Sequence, residues 1–136
     1  MLVVDASALT ELVLGRAAGE VVGEHLAAHG FAVHAPHLVD VEVLSALRRL
    51  VASGEMTAAR AGEAIADLLD LPIERFPHDI LVPRIWGLRE NFSAYDASYV
   101  ALAEAVADEP VPLLTADARL AKAVGDLLDV RVLLAA

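Results

Sequence analysis

The chain opens MLVVDASALTELVLG, and the break at Asp5 constrains it more than any other feature. An apolar run ends on a carboxylate, and small and apolar residues at helical spacing follow at once. A buried strand feeding directly into a helix is the opening of an α/β unit. The arrangement recurs near the other end, where VPLLTADARLAKAV carries Asp117 just beyond a second short apolar run. In parallel sheets the ligand lies beyond the carboxyl ends of the strands, so Asp5 and Asp117 are expected to meet in one cleft.

Between these ends the pattern alternates. The spacing predicts strands over 2–4, 31–35, 71–76, 111–115 and 130–134. Helices are predicted over 6–14 and 18–29, from Pro36 to about 52, from an N-cap at Thr57 to 70, over 78–89, from Ser93 or Tyr95 to 108, and over 118–124. Pro36 fits the first turn of its helix and Gly54 the stop behind it. Pro83 is expected to kink the 78–89 helix or to start a new first turn. The fold class that follows is α/β: a three-layer α/β/α sandwich with a mostly parallel central sheet. No repeat or linker divides the chain, so residues 1–136 read as one domain.

Composition narrows the function. With 57% hydrophobic residues the chain could suggest a membrane protein, but no uninterrupted apolar run approaches the roughly 20 residues a span needs. The first apolar run is cut by Asp5, and no basic stretch of a signal peptide precedes it, so a cytoplasmic protein is expected. There are no cysteines, which removes thiol nucleophiles and cysteine-held metals. The net charge of −10 argues against binding nucleic acid through a broad cationic face. It leaves open an enzyme that acts on nucleic acid through bound cations.

The helical step of about 100° sorts the remaining acids. With Leu38 at zero, Glu42 falls near 40° and Arg49 near 20°, a narrow polar stripe, whereas Asp40 lies near 200° between Leu47 and Val51. Glu42 is therefore assigned to the cleft, and Asp40 to the amino-terminal turn and its dipole. Asp96 lies at the margin of an apolar face marked by Tyr99, Leu102 and Val106, where a charge needs a partner. Each acid also has an ordinary reading. Glu42 could sit on a solvated face beside Arg49, Asp96 could answer the free amides of its helix, and Asp117 could be an N-cap. Together they form a tetrad drawn from four parts of the chain. Four close carboxylates repel by a few kcal/mol per pair at an effective dielectric of about 20, and a hard divalent cation relieves that repulsion. Oxygen-only ligands suit Mg²⁺ or Mn²⁺.

The ordered set Asp5 in VVDASAL, Glu42 in HLVDVEVLSALRRL, Asp96 in NFSAYDASYVALAE and Asp117 in LLTADARLAKA resembles the PIN domain, most closely the VapC-type toxins of bacterial toxin–antitoxin pairs. The likeness runs along essentially the whole chain. It implies a Mg²⁺-dependent endoribonuclease inhibited by a small cognate antitoxin. By position, Asp5 and Asp96 look like the principal metal ligands, with Glu42 and Asp117 completing the site directly or through water. Ser7 and Thr115 match small polar positions beside the first and last acids, and Asn91 a polar position before the third. The expected reaction is hydrolysis of RNA by a metal-activated water, with in-line attack expelling the 3′-oxygen and leaving a 5′-phosphate.

RNA must still approach an acidic chain. Arg49, on the Glu42 stripe, is the candidate phosphate contact, with Arg48, Arg84 and Arg89 as further rim positions. The high apolar content leads us to expect a homodimer and a groove for an antitoxin helix. His25 and His29 have the i, i+4 spacing of zinc sites, yet HExxH is absent and no third ligand is apparent. Three rival functions are weaker. A haloacid-dehalogenase-like phosphatase would carry a second acid where Ser7 stands. A phosphoacceptor domain would carry a lysine at a late strand end, but Lys122 falls inside a predicted helix. A binding scaffold with idle acids is the third.

Overall fold

A computed structural model describes all 136 residues. Its five strands, β1 (Leu2–Val4), β2 (Val33–Pro36), β3 (Ile73–Phe76), β4 (Leu113–Thr115) and β5 (Val132–Leu134), form one sheet in the order β3-β2-β1-β4-β5. Every pairing is parallel. The helices are α1 (Ala6–Val13), α2 (Ala17–Ala28), α3 (Leu38–Ala52), α4 (Ala58–Asp70), α5 (Val82–Gly87), α6 (Ala94–Ala105) and α7 (Ala118–Leu127). They flank the sheet and complete the three-layer α/β/α sandwich.

β1 is apolar throughout, and β4 up to its last residue, because both faces are covered. Leu2, Val3, Val4, Leu113 and Leu114 are fully buried. The chain runs outward from β1 through β2 to β3 and then returns to the other side of β1 to form β4. This reversal opens a crevice at the carboxyl ends of β1 and β4, the topological switch point of such sheets. Asp5 follows β1 directly, its amide donating to the Leu114 carbonyl at 3.1 Å.

Two local expectations are corrected, and one stated alternative is decided. Pro36 ends β2 and does not open α3. The Leu2 amide bonds the Ala32 carbonyl while the His37 amide bonds Phe76, so even-numbered β2 positions face β1. Pro36 has no amide to donate toward β1, so the ladder to β1 stops there, while the His37 amide still bonds β3. Asp40 does not serve as a cap: Arg75 of β3 grips its carboxylate with two bonds, Nε–Oδ2 at 2.7 Å and Nη2–Oδ1 at 2.9 Å. The 78–89 segment is a short 3-10 turn at Asp79–Leu81 followed by α5, with Pro83 in the first turn of that new helix, where it removes no intrahelical bond.

One glycine fixes a close approach. A Cβ at Gly19 would collide with the Glu11 backbone carbonyl, so only glycine lets α2 rest against the end of α1.

Candidate active site

Asp5 is the N-cap of α1, a role its position between strand and helix makes natural. Its Oδ1 accepts from the Ala8 amide at 3.0 Å and the Ser7 hydroxyl at 2.7 Å. Oδ2 accepts from the Thr115 hydroxyl at 2.5 Å. Both hydroxyls also accept: Ser7 Oγ from the Ala116 amide at 2.9 Å, and Thr115 Oγ1 from the Asp117 amide at 3.0 Å. The ends of β1 and β4 are thus tied together through one carboxylate. Asp5 is 4% exposed. Burial pushes its carboxyl up to about 6; the bonds from Thr115, Ser7 and Ala8 pull against that, and the nearby Asp117 charge adds to it.

Glu42, Ala46 and Arg49 share one face of α3, as the helical step predicts, and that face lines the cleft opposite Asp5. Tyr99 of α6 donates its phenolic proton to Glu42 Oε1 at 2.5 Å. The Tyr99 ring is buried, and burial followed by the bond to Glu42 holds the phenol protonated well above its ordinary range. It is a permanent donor to that carboxylate.

Asp96 and Asp117 stand on the amino-terminal turns of two helices. Ser93 caps α6, its hydroxyl accepting from the Asp96 amide at 3.1 Å, which leaves the Asp96 carboxylate free of capping duty. Asp117 both caps α7 and lines the cleft: Oδ1 accepts from the Arg119 amide at 2.9 Å and the Leu120 amide at 3.2 Å. Arg119 Nη2 reaches both acids, 3.4 Å from Asp96 Oδ2 and 3.5 Å from Asp117 Oδ2. An exposed guanidinium therefore balances the two carboxylates across the cleft mouth.

The four acids border one open cleft of about 420 Å³, with Ser7 and Arg49 in its wall. Thr115 is fully buried behind Asp5. Asn91 lies in an exposed turn outside the lining residues, and Arg48, Arg84 and Arg89 are outside it as well. Arg84 is committed to Glu104 of α6 by bonds of 2.9 and 3.0 Å. Three polar residues that sequence reasoning did not assign also line the cleft: Thr10, Glu11 and Tyr99. Glu11 is four residues beyond Ser7 on the same face of α1, and Tyr99 three beyond Asp96 on α6, so helical spacing carried the signal for both. Glu11 pairs with Arg16 at 3.2 Å. Of the histidines, the His29 ring bonds the His25 carbonyl, and His78 Nε2 accepts from the Leu38 amide.

The donor set has the chemistry of a hard-cation site: five carboxylates, Glu11 with the four acids of the tetrad, and no sulfur and no histidine in the lining. One of them, Asp5, is buried at a cost that a bound cation would lower. In the present side-chain arrangement no three of the acids converge on a common point, because Glu42 turns to Tyr99 and Asp117 to the α7 amides. The residues fit Mg²⁺ or Mn²⁺ in kind; of the four, only Asp96 carries neither a helix cap nor a phenol, since Asp5 caps α1 through Oδ1.

Comparison with known proteins agrees with this architecture. The PIN domain family model matches residues 2–126. The chain is 45% identical over 122 residues to Ribonuclease VapC9 of Mycobacterium tuberculosis, an alignment that covers 88% of each protein. It is 44% identical over 124 residues to Ribonuclease VapC1 of the same organism, covering 90% of each. The crystal structure of PAE2754 from Pyrobaculum aerophilum is similar in fold, with a TM-score of 0.70 at 23% identity over 96% of this chain and 81% of that one. With a family match over most of its length and relatives aligned along nearly all of theirs, the chain belongs to the PIN-domain family, among its VapC members.

Proposed function

We propose that this chain is the toxin of a type II toxin–antitoxin pair, a Mg²⁺-dependent endoribonuclease. The observation that carries the reading is the meeting of Asp5, Glu42, Asp96 and Asp117, from four separate parts of the chain, around one cleft at the sheet's switch point. The similar VapC proteins are named ribonucleases, which supports the same class of substrate here.

A bound Mg²⁺, with Mn²⁺ as a substitute, supplies Lewis-acid polarisation of the scissile phosphate and a water of lowered pKa. The chain's own residues prepare the rest. Ser7, Thr115 and the Ala8 amide hold the Asp5 carboxylate in one orientation. Tyr99 does the same for Glu42. Asp5 and Asp96 are the principal ligands, with Glu42 and Asp117 acting directly or through water. Arg49, exposed on the α3 wall, grips an RNA phosphate. Water adds across the P–O3′ bond, leaving a 5′-phosphate and a 3′-hydroxyl. No histidine lines the cleft to serve as a general base. Ser7 donates to Asp5, whereas the phosphatase reading needs a second acid in its place.

The antitoxin is proposed to dock by an apolar helix. An open apolar groove between α3 and α4, walled by Leu44, Leu47, Val51, Ala61 and Ile65, suits that form of partner. No helix of the chain is long and apolar enough to cross a membrane.

The test of the nuclease reading is incubation of antitoxin-free protein with a diverse RNA pool, in Mg²⁺ and then in EDTA. Cleavage that appears with Mg²⁺ and stops with EDTA supports it. Absence of cleavage in Mg²⁺ across the pool would overturn it.

A further inference from the structure

Beside the acid cleft lies a second site that the proposed reaction does not use. Trp86 on α5 is 67% exposed, an unusual position for the chain's single tryptophan. With Val82, Ile85, Arg89 and Ala94 it walls an open apolar pocket of about 200 Å³. The Arg89 guanidinium lies 4.6 Å from the centre of the Trp86 ring, and its Nη1 bonds the Trp86 carbonyl at 3.0 Å. Tyr95, 62% exposed, follows Ala94 and precedes Asp96. The first turn of α6 therefore carries Ala94 in this pocket, Asp96 in the acid cleft, and an exposed aromatic ring between them. The two sites flank one helix end.

Charge selects the occupant. Arg16, Arg60, Arg75, Arg84 and Arg119 each have a carboxylate within ion-pair distance. Arg48, Arg49, Arg89 and Arg131 have none, although Glu90 adjoins Arg89 in sequence. Of these four uncompensated cations, Arg49 lines the acid cleft and Arg89 covers the tryptophan beyond it. On a chain of net charge −10, a strand of RNA thus meets a cation without a carboxylate partner both in the cleft and at the Trp86 pocket. No acid lines the Trp86 pocket. A flat aromatic ring beside an arginine plane is the pairing that holds unstacked bases of single-stranded RNA.

We infer that Trp86 and Arg89 form a base-stacking subsite for a nucleotide neighbouring the scissile one, with Tyr95 flanking the path to the cleft. The inference rests on the proposed RNA substrate. It makes cleavage selective for unpaired RNA, because a base held in a duplex cannot reach the ring.

The single tryptophan provides the readout. The full chain in EDTA is titrated with a short single-stranded RNA and with an abasic oligomer carrying the same phosphates. Stacking quenches the Trp86 fluorescence with the first and not with the second. Trp86→Ala is expected to weaken RNA affinity about tenfold, as removal of a stacked aromatic does, while Trp86→Phe keeps most of it. In Mg²⁺ the loss falls on KM and not on kcat. Mg²⁺-dependent cleavage with no quenching and an unchanged KM in Trp86→Ala overturns the subsite and leaves the nuclease reading intact. Quenching without any cleavage supports the subsite and removes the nuclease. If Trp86→Ala instead converts a dimer to a monomer in light scattering with RNA affinity unchanged, the face belongs to a second copy of the chain and the inference fails.

Discussion

Tyr99 and Glu42 lie fifty-seven positions apart in the chain, and a 2.5 Å hydrogen bond joins them across the space between α6 and α3. The phenol is buried and stays protonated, so it fixes one oxygen of Glu42 and leaves the other to the cleft. Tyr99→Phe removes only the donor. Outer-shell partners of metal-site carboxylates are worth about 10–100-fold in metal affinity or activity. A loss in that range is expected in the Mg²⁺ dependence of cleavage, with the circular dichroism spectrum unchanged. An unaltered Mg²⁺ dependence would show that Glu42 needs no such anchor.

Asp5 makes the stability of the metal-free chain depend on pH. Burial raises its carboxyl from an ordinary 3.8 to about 6. The folded state therefore holds this proton more tightly than the unfolded state does. Its contribution to stability is whole below about pH 4 and is lost as pH rises through about 6, with a change on the order of 3 kcal/mol. Asn at this position does not titrate. In EDTA, wild-type stability measured by urea denaturation should fall relative to Asp5→Asn by that amount between pH 4 and 7. A constant gap would mean that the buried carboxyl is not perturbed.

Arg119 places its guanidinium between Asp96 and Asp117, where it competes with any cation those acids bind. The side chain is 77% exposed and its ion pairs are weak, worth about 1 kcal/mol or less. Arg119→Gln should therefore tighten Mg²⁺ binding by at most about fivefold in calorimetry. Weaker binding in the variant would show that Arg119 supports the site.

Gly19 permits α2 to pack on α1 beside Glu11. Gly19→Ala forces backbone against backbone, which no side-chain rotation relieves. A loss of about 1–3 kcal/mol is expected in urea denaturation. A neutral effect would mean that the two helices separate freely.

The sequence carried the architecture because its signals were local. Asp5 and Asp117 each end an apolar strand and begin a helix, and the step along α3 separated Glu42 from Asp40 without reference to any other element. What it did not carry depended on elements far apart in the chain. Arg75 claims Asp40 from a neighbouring strand, and Glu104 claims Arg84 from another helix. Pro36 reads as a helix start until its pairing with Phe76 of β3 is known. Tyr99 looks like core because its ring is core; only its hydroxyl reaches the site. Of the positions matched by resemblance, Ser7 and Thr115 hold Asp5, while Asn91 stands outside the cleft.

The central claim is that the Asp5 cleft cuts RNA by hydrolysis. Sequencing of RNA 5′ ends after brief induction of the wild-type chain and of Asp5→Ala in matched cells tests it most directly. Discrete new ends bearing 5′-phosphates are expected with the wild type and absent with Asp5→Ala. The same new ends in both, or new ends bearing 5′-hydroxyls, would contradict it.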